Sequence, residues 1–100
     1  MSIIRLIFVN VPHDQAKPAE RIWNNHCAPL MIRQPGCLSE KLLRCTENPG
    51  ELISYSEWQD EESIERYRTS AAHEEIKNYS RSLVGSRPVV KRYEIVAGIK

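Results

Sequence analysis

The chain has 100 residues, of which 41% are hydrophobic and 27% charged, and its formal net charge is +1. This balance is typical of a single soluble globular domain spanning residues 1–100. The small net charge argues against a nucleic-acid-binding surface, and no apolar run approaches the roughly 20 residues of a membrane-spanning helix. We therefore expect no nucleic-acid partner and no membrane association.

The cysteines, Cys27, Cys37 and Cys45, are odd in number and lack a paired spacing. This arrangement argues against both a disulfide framework and a zinc site. The first residues lack the basic stretch and the long apolar run of a leader peptide, so we interpret them as a strand of the domain. We expect reduced thiols, no metal and a cytoplasmic location.

Four strands are predicted, at residues 2–11, 37–45, 51–58 and 89–97. The first carries apolar side chains on both of its faces. A strand with one solvated face would alternate apolar and polar residues, so both faces of this strand should be covered.

A first helix is predicted over about residues 18–34, with an apolar stripe at helical spacing. Trp23, His26 and Leu30 lie on this stripe, so His26 is expected to face inward. Pro29 should kink the helix, because proline removes one backbone hydrogen bond.

A second helix is predicted over about residues 60–83, and its two apolar stripes do not align. Ile64 and Ile76 are twelve residues apart, which places them about 120° apart around a regular helix. A break is therefore expected near Thr69 and Ser70, which are good N-cap residues for a new helical start.

The break brings three chemically useful side chains to one corner. His73 falls in the first turn after it, close to Tyr67 and to Trp58 at the end of the third strand. This cluster is the most informative chemical signal in the sequence.

The order of elements is β-α-β-β-α-β. It predicts an α+β, ferredoxin-like domain: a four-stranded antiparallel sheet with two helices on one face. Two helices cover only one side of such a sheet. The simplest cover for the other side is a second copy of the chain, packed about a two-fold axis.

The most specific stretch is a strand ending in Glu57-Trp58 followed by DEESIERYRTSAAHEEI, with QPGCLSEKLL after the first helix. On these segments the whole chain resembles the antibiotic biosynthesis monooxygenase (ABM) domains, which are dimeric α+β barrels. The resemblance implies a homodimer formed through the sheet face and a small-molecule pocket between sheet and helices. It also implies a possible cofactor-independent monooxygenase, since some members oxygenate phenols or quinols without metal or flavin.

The haem-degrading members of this group fit less well. They use an asparagine in the first strand, a tryptophan in the second helix and an iron-ligating histidine. His73 matches the histidine, but Tyr67 stands at the tryptophan position and the asparagine position falls near Leu6 or Phe8. Haem degradation is therefore not the expected activity.

The resemblance makes His73 the candidate general base or hydrogen-bond donor and Tyr67 the candidate orienting hydroxyl. His73 could instead lie in solvent at a helix start, and the Tyr67 ring could simply be core. The candidate substrate-binding residues are Trp23, His26, Leu30 and Trp58. Trp58 could equally be a packing anchor, and His26 a buried histidine bonded to a carbonyl.

Two alternatives to an enzyme remain on the same fold, because fold alone does not decide function. One is a non-catalytic small-molecule-binding or sensing domain. The other is a structural dimer with a vestigial pocket.

Overall fold

The computed structural model describes residues 2–81 and 88–99, with the side chain of Ser80 left aside. The strands and α-helices in this part of the chain are β1 (Ile3–Asn10), α1 (Ala16–Ile22), α2 (Ala28–Ile32), β2 (Cys37–Arg44), β3 (Glu51–Trp58), α3 (Glu61–Arg68), α4 (Ala71–Arg81) and β4 (Val89–Glu94). A 3-10 turn (His13–Gln15) precedes α1, and a π turn (Trp23–Cys27) joins α1 to α2.

The strands form one antiparallel sheet in the order β2-β3-β1-β4, so β1 and β3 are the inner strands. The predicted ferredoxin-like α+β fold is confirmed. The last strand ends at Glu94 rather than at the predicted Ala97. The predicted end of the second helix at Leu83 lies outside the described residues.

The helices cover one face of the sheet. On that face Trp58 and Ile64 are fully buried and pack with Ile3, Met31 and Tyr67. A second buried cluster joins α1 to the far end of β3 through Val11, Ala16, Ala19 and Leu52. Together the two clusters hold the helices against the sheet and leave space between them.

The π turn keeps the buried stripe of the first helix in line. The backbone N–H of Ala28 bonds to the carbonyl of Trp23, five residues back. In a regular helix Ala19 and Cys27 would lie about 80° apart, at about 100° per residue. A π turn holds about one residue more per turn, so each of its residues adds roughly 80°, and both side chains face the core. Pro29 gives the reason for a widened turn, because it has no N–H for the carbonyl of Asn25.

The predicted break in the second helix is confirmed. The first segment, α3, is capped by Asp60, whose Oδ1 accepts a 2.8 Å bond from the Ser63 N–H, and it ends before Thr69. The second segment begins after Ser70, whose Oγ accepts a bond of 3.2 Å from the N–H of His73. The same hydroxyl donates to the Tyr67 carbonyl at 2.6 Å, which ties the two segments together.

The other face of the sheet, which we call the outer face, carries no helix in the described residues. Its centre is apolar, with Ile4, Leu6, Phe8, Ile53 and Tyr55 on β1 and β3, while Glu51 and Glu57 of β3 lie toward its ends. On the flanking strands Leu43, Val89 and Tyr93 are between 42% and 52% exposed. The first strand is therefore largely apolar on both sides, as predicted, and helices cover only its inner side, although Ile4 on the outer side is already buried within the single chain.

Candidate functional site

A cavity in two parts lies between the sheet and the helices. The inner chamber has a volume of about 90 Å³ and is lined mainly by aliphatic and aromatic side chains. Six of them are Ile7, Val9, Ile22, Trp23, Leu42 and Leu52. A concave apolar site with few polar groups is typical of pockets for small organic molecules.

The outer chamber has a volume of about 350 Å³ and shares Tyr67 and Ile76 with the inner one. Its remaining wall combines apolar side chains with three cationic ones, Arg5, Lys77 and Arg81, together with His73. Lys77 and Arg81 lie 3.6 and 4.0 Å from the carboxylate of Glu74 on their own helix. The outer chamber thus adds basic groups to an otherwise apolar cavity.

His73 and Tyr67 meet where the two chambers join. Their ring centroids are 4.9 Å apart in an edge-to-face arrangement. Partial burial, followed by the positive charges of Arg5, Lys77 and Arg68, lowers the pKa of His73 below its usual value. The imidazole is therefore neutral at pH 7 and able to accept a proton.

Tyr67 is 3% exposed and stands between Trp58 and the cavity. Its ring centroid lies 5.3 Å from that of Trp58, and the Arg5 guanidinium carbon lies 5.7 Å from the Tyr67 ring. Burial raises the pKa of the Tyr67 hydroxyl, and the charge of Arg5 opposes this effect. The phenol stays protonated, so it can donate a hydrogen bond to a ligand.

Three charged residues lie in one row across the sheet beside these chambers. Arg5 of β1 lies between Arg92 of β4 and Ser56 of β3, and Ser56 in turn is opposite Glu40 of β2. The Arg5 side chain is on the helix-facing side and the residue is only 4% exposed. Its Nε and Nη1 atoms are buried and have no hydrogen-bond partner in the described part of the chain.

Glu40 is held against the inner chamber by a residue of its lining. Its Oε1 accepts a bond of 2.7 Å from the Ser54 hydroxyl, while its buried Oε2 has no partner among the described residues. Burial raises the pKa of this carboxyl to about 7, although Ser54, Trp23 and the charge of Arg5 favour the ionised form. Glu40 is thus a carboxyl group that titrates near neutral pH.

Sequence reasoning did not single out Arg5 or Glu40. A signal for Arg5 was present, since it is the charged residue in an otherwise apolar strand and shares the face of Ile3 and Ile7. For Glu40 there was no such signal. The pairing that brings β2 beside β3 is needed to see that it lies against Ser54 of the inner chamber.

The structure brings three of the six predicted site residues together: Trp23, Tyr67 and His73 all line the cavity. Leu30 is half-buried and Trp58 is fully buried, and neither belongs to the described cavity lining. The indole N–H of Trp58 donates to Ser56 Oγ at 2.9 Å, which fits a packing anchor.

The expectation that His26 faces inward is wrong. His26 is exposed and stacks on Tyr79, with 4.5 Å between ring centroids. The physical reason is the π turn, which contains His26 and rotates it off the buried stripe while Cys27 takes the inward position. Regular helical spacing could not reveal this rotation.

No group of three or more histidine, cysteine or acidic side chains within residues 2–81 and 88–99 is placed to hold a metal ion. Among the helices of these residues, none is long and apolar enough to cross a bilayer. Cys27, Cys37 and Cys45 are free thiols, the first buried and the others half-buried.

The fold and the cavity define a ferredoxin-like α+β protein with a largely apolar cavity between its sheet and its helices. The model of the antibiotic biosynthesis monooxygenase family matches residues 2–79, and the chain belongs to that family. Among curated protein sequences, none matches the chain significantly.

Solved structures agree with this fold. A candidate antibiotic biosynthesis monooxygenase from Bordetella bronchiseptica superposes with a TM-score of 0.85 at 21% identity, covering 96% of this chain and 98% of that one. One from Deinococcus radiodurans gives 0.83 at 14%, covering 98% and 96%. A variant of SnoaB, a cofactor-independent oxygenase from Streptomyces nogalater, gives 0.80 at 15%, covering 98% and 96%.

Proposed function

We propose that this protein is a cofactor-independent monooxygenase for a small aromatic or quinol-like molecule bound in the cavity. The observation that carries the proposal is the meeting of a neutral histidine and a protonated tyrosine at the mouth of an apolar chamber. Membership of the family supports it, as does structural similarity to an oxygenase that works without a cofactor.

The reaction needs only the substrate and molecular oxygen. A base removes the phenolic proton, and the ring carbon of the resulting anion forms a bond to one atom of O₂. The second oxygen atom then leaves as water, with the proton taken up earlier and the hydrogen lost from the ring carbon. A phenol and O₂ thus give a quinone and water, and the electrons that reduce oxygen come from the substrate.

Two residues have proposed roles at the phenolic oxygen of the substrate. His73 is the proposed base, since its neutral imidazole can accept the phenolic proton. The Tyr67 hydroxyl is the proposed donor that orients the substrate oxygen. The apolar side chains of the inner chamber, Trp23 among them, would exclude water and hold the ring.

Replacing His73 by alanine tests the assignment. A positioned general base typically contributes roughly 100- to 10,000-fold in rate, so His73→Ala should lower turnover about 100-fold or more. The measurement is oxygen uptake with a panel of quinols and polyphenols, with the quinone product followed by absorbance. His73→Ala should leave the melting temperature nearly unchanged, because this side chain is only half-buried.

His13 offers a matched histidine control. It is exposed, bonds to Asn48 Oδ1 at 2.9 Å, and is outside the described lining of both chambers. His13→Ala should keep full turnover. Full activity of His73→Ala would remove His73 as the base, and ligand binding without oxygen uptake would instead support the non-catalytic binding or sensing domain.

We also propose that two copies of the chain pack through their outer faces. The exposed apolar side chains there, Leu43, Val89 and Tyr93 among them, support an obligate partner surface. A reducing, cytoplasmic location is the compartment that the free thiols favour.

A further inference from the structure

Arg5 is a buried cation that no described side chain neutralises by contact. It is 4% exposed, and both Nε and Nη1 are buried without a hydrogen-bond partner in the described residues. An unpaired buried charge is strongly unfavourable, so such a group is normally paired with a counter-ion or bound by a ligand.

The carboxylates of Glu61 and Glu65 do not supply that partner, because they are paired with other arginines. Arg92 is bound to Glu61 and Glu65 of α3, and Arg68 also pairs with Glu65. These arginines add to the positive potential at Arg5 rather than cancel it.

Glu40, in the same row of the sheet, is a carboxyl group that favours the charged form of Arg5, but its effect on the Arg5 pKa is smaller than those of burial, Tyr67 and the neighbouring arginines. It forms no ion pair with Arg5 within 4.0 Å, and its Oε1 is bound to the Ser54 hydroxyl. Because burial raises the pKa of the Glu40 carboxyl to about 7, it carries only part of a negative charge at neutral pH. The positive charge of Arg5 therefore remains available.

The position of Arg5 relative to the two chambers indicates the shape of the ligand that it would bind. Arg5 lines the outer chamber beside Ile7, and Ile7 also lines the apolar inner chamber. The Tyr67 ring lies between the guanidinium and the core, 5.7 Å away. A molecule with an apolar ring in the inner chamber would place a substituent at the guanidinium.

We propose that Arg5 binds the anionic oxygen of the substrate, and that the substrate is an aromatic acid whose apolar ring occupies the inner chamber. The acidic group is a carboxylate or an ionised phenol, since either offers the oxygen that a guanidinium prefers. The inference rests on the proposed function for the identity of the site, but the binding of an anion does not require oxygenation.

Three probes of one shape test the charge requirement: 2-naphthoate, neutral 2-naphthamide and 2-naphthol, with binding followed by calorimetry at pH 7.5. A hydrogen bond to a charged group is worth at least about tenfold in affinity, so naphthoate should bind at least about tenfold more tightly than naphthamide. Arg5→Met should abolish this preference and leave naphthamide binding unchanged. Equal binding of the two, or binding of none of the probes, would overturn the proposal.

A separate measurement tests whether the natural anion is a phenolate. Fluorescence distinguishes naphthol from naphtholate, so the ionisation of bound 2-naphthol can be followed directly as pH rises. If the natural anion is a phenolate, the pKa of bound naphthol should fall by at least about one unit in the wild type but not in Arg5→Met. A naphthoate preference without this fall would identify the carboxylate as the group recognised.

Two further variants test whether a lost naphthoate preference reflects misfolding rather than loss of the Arg5 interaction. Arg5→Lys keeps the charge without the planar fork, so it should retain part of the naphthoate preference even if Arg5→Met folds poorly. Arg66→Met removes an arginine outside the described cavity lining, one that pairs with Glu62, and should keep the full preference. A naphthoate preference that survives Arg5→Met, or that Arg66→Met removes equally, would refute the role of Arg5.

The failure of this inference is separable from failure of the proposed function. His73→Ala should lose turnover yet keep the naphthoate preference, whereas Arg5→Met should lose the preference whether or not any oxygen is consumed. A wild-type protein that prefers naphthoate but never takes up oxygen would retain the anion site and discard the oxygenase.

Discussion

Glu40 is a carboxyl group whose protonation is coupled to folding. Burial beside Ser54 and Trp23 raises the pKa of its side chain from 4.5 to about 7. The unfolded chain leaves the same group in water, where it ionises near its usual value. Between these two pH values the folded protein holds a proton that the unfolded chain has released.

Stability should therefore fall as pH rises from about 4.5 to about 7. The folded state binds more protons than the unfolded state in this window, so the free energy of unfolding has a negative slope against pH. Glu40→Gln should remove that slope and be about 3 kcal/mol more stable than the wild type at pH 8, with little difference at pH 4. Urea unfolding across the range provides the measurement.

Glu75 provides the control, because it is exposed on α4. Glu75→Gln should reproduce the wild-type pH curve. A Glu40→Gln curve that runs parallel to the wild type at all pH values would contradict the assignment of the slope to Glu40.

The thiols should differ in reactivity between the folded and the unfolded chain. Burial raises the pKa of Cys27 and of Cys37 to about 11, which disfavours the reactive thiolate at both. Titration with a chromogenic disulfide at pH 8 should find three free thiols per denatured chain, while Cys27 and Cys37 react at least about tenfold more slowly in the folded protein. A denatured chain with fewer than three thiols would disprove the expected reduced state.

At the scale of single residues, the sequence allowed His73 and Tyr67 to be placed but not Arg5 and Glu40. The first two follow from local spacing and a good N-cap, both of which depend on residues near in sequence. The importance of Arg5 and Glu40 depends on their burial and on strand pairings far apart in sequence. A sequence pattern does not contain those pairings.

Among the elements, the break at Thr69 and Ser70 is the one that positions the candidate base. Ser70 Oγ caps the segment that carries His73 and also bonds back to the carbonyl of Tyr67. The orientation of the histidine relative to the tyrosine is therefore tied to one hydroxyl group.

Ser70→Ala should lower the free energy of unfolding by about 1 kcal/mol, which is typical for loss of an N-cap. It should also lower turnover, because His73 loses the hydrogen bond that fixes its backbone. Chemical denaturation and oxygen uptake measure the two effects. Thr69→Ala is the matched control, since the Thr69 hydroxyl bonds only to carbonyls of the preceding helix. An equal loss in the two variants would argue against a specific role for Ser70.

Element boundaries were predicted to within a few residues, and the most consequential error is the rotation of side chains in the first helix. The sequence indicated a kink at Pro29, and the structure places a π turn just before it. Helical periodicity assumes a constant rotation per residue, so it carried His26 onto the buried stripe. Only the observed hydrogen bond from Ala28 to Trp23 reveals the altered rotation.

For the whole molecule, the proposed dimer depends on the apolar outer face. Ile53 lies near its middle, between Phe8 of β1 and Leu43 of β2. Sedimentation at micromolar concentration should show twice the chain mass of 11.6 kDa. Ile53→Glu should weaken the dimer at least about 100-fold, because a carboxylate would be buried without a partner.

Ile32 of α2 provides the control, because the same substitution there lies on the helix-covered side of the sheet. It is 48% exposed in α2, so Ile32→Glu adds the same charge without touching the outer face and should remain dimeric. A stable wild-type monomer at these concentrations would rule out the proposed assembly.

The overall architecture was the most predictable level. The order of elements follows from turn residues and periodicity, and the need for a cover on the outer face follows from a first strand that is apolar on both sides. The position of the cavity was implied by the family resemblance, whereas the basic side chains of its outer chamber could be located only from the packed helices.

The π turn has a consequence for how chain length relates to pocket shape. It holds one residue beyond what a regular helix would need, and Asn24 and Asn25 within it are exposed. Loss of a single residue there would convert the turn to regular helix, in which four residues at about 100° sweep the same angle of about 400° as five residues at about 80°. The helical segments before and after the turn would therefore keep their relative orientation, and the side chains they contribute to the cavity wall would stay in place. A one-residue difference in length at this exposed turn is thus one that related chains could carry without reshaping the ligand pocket.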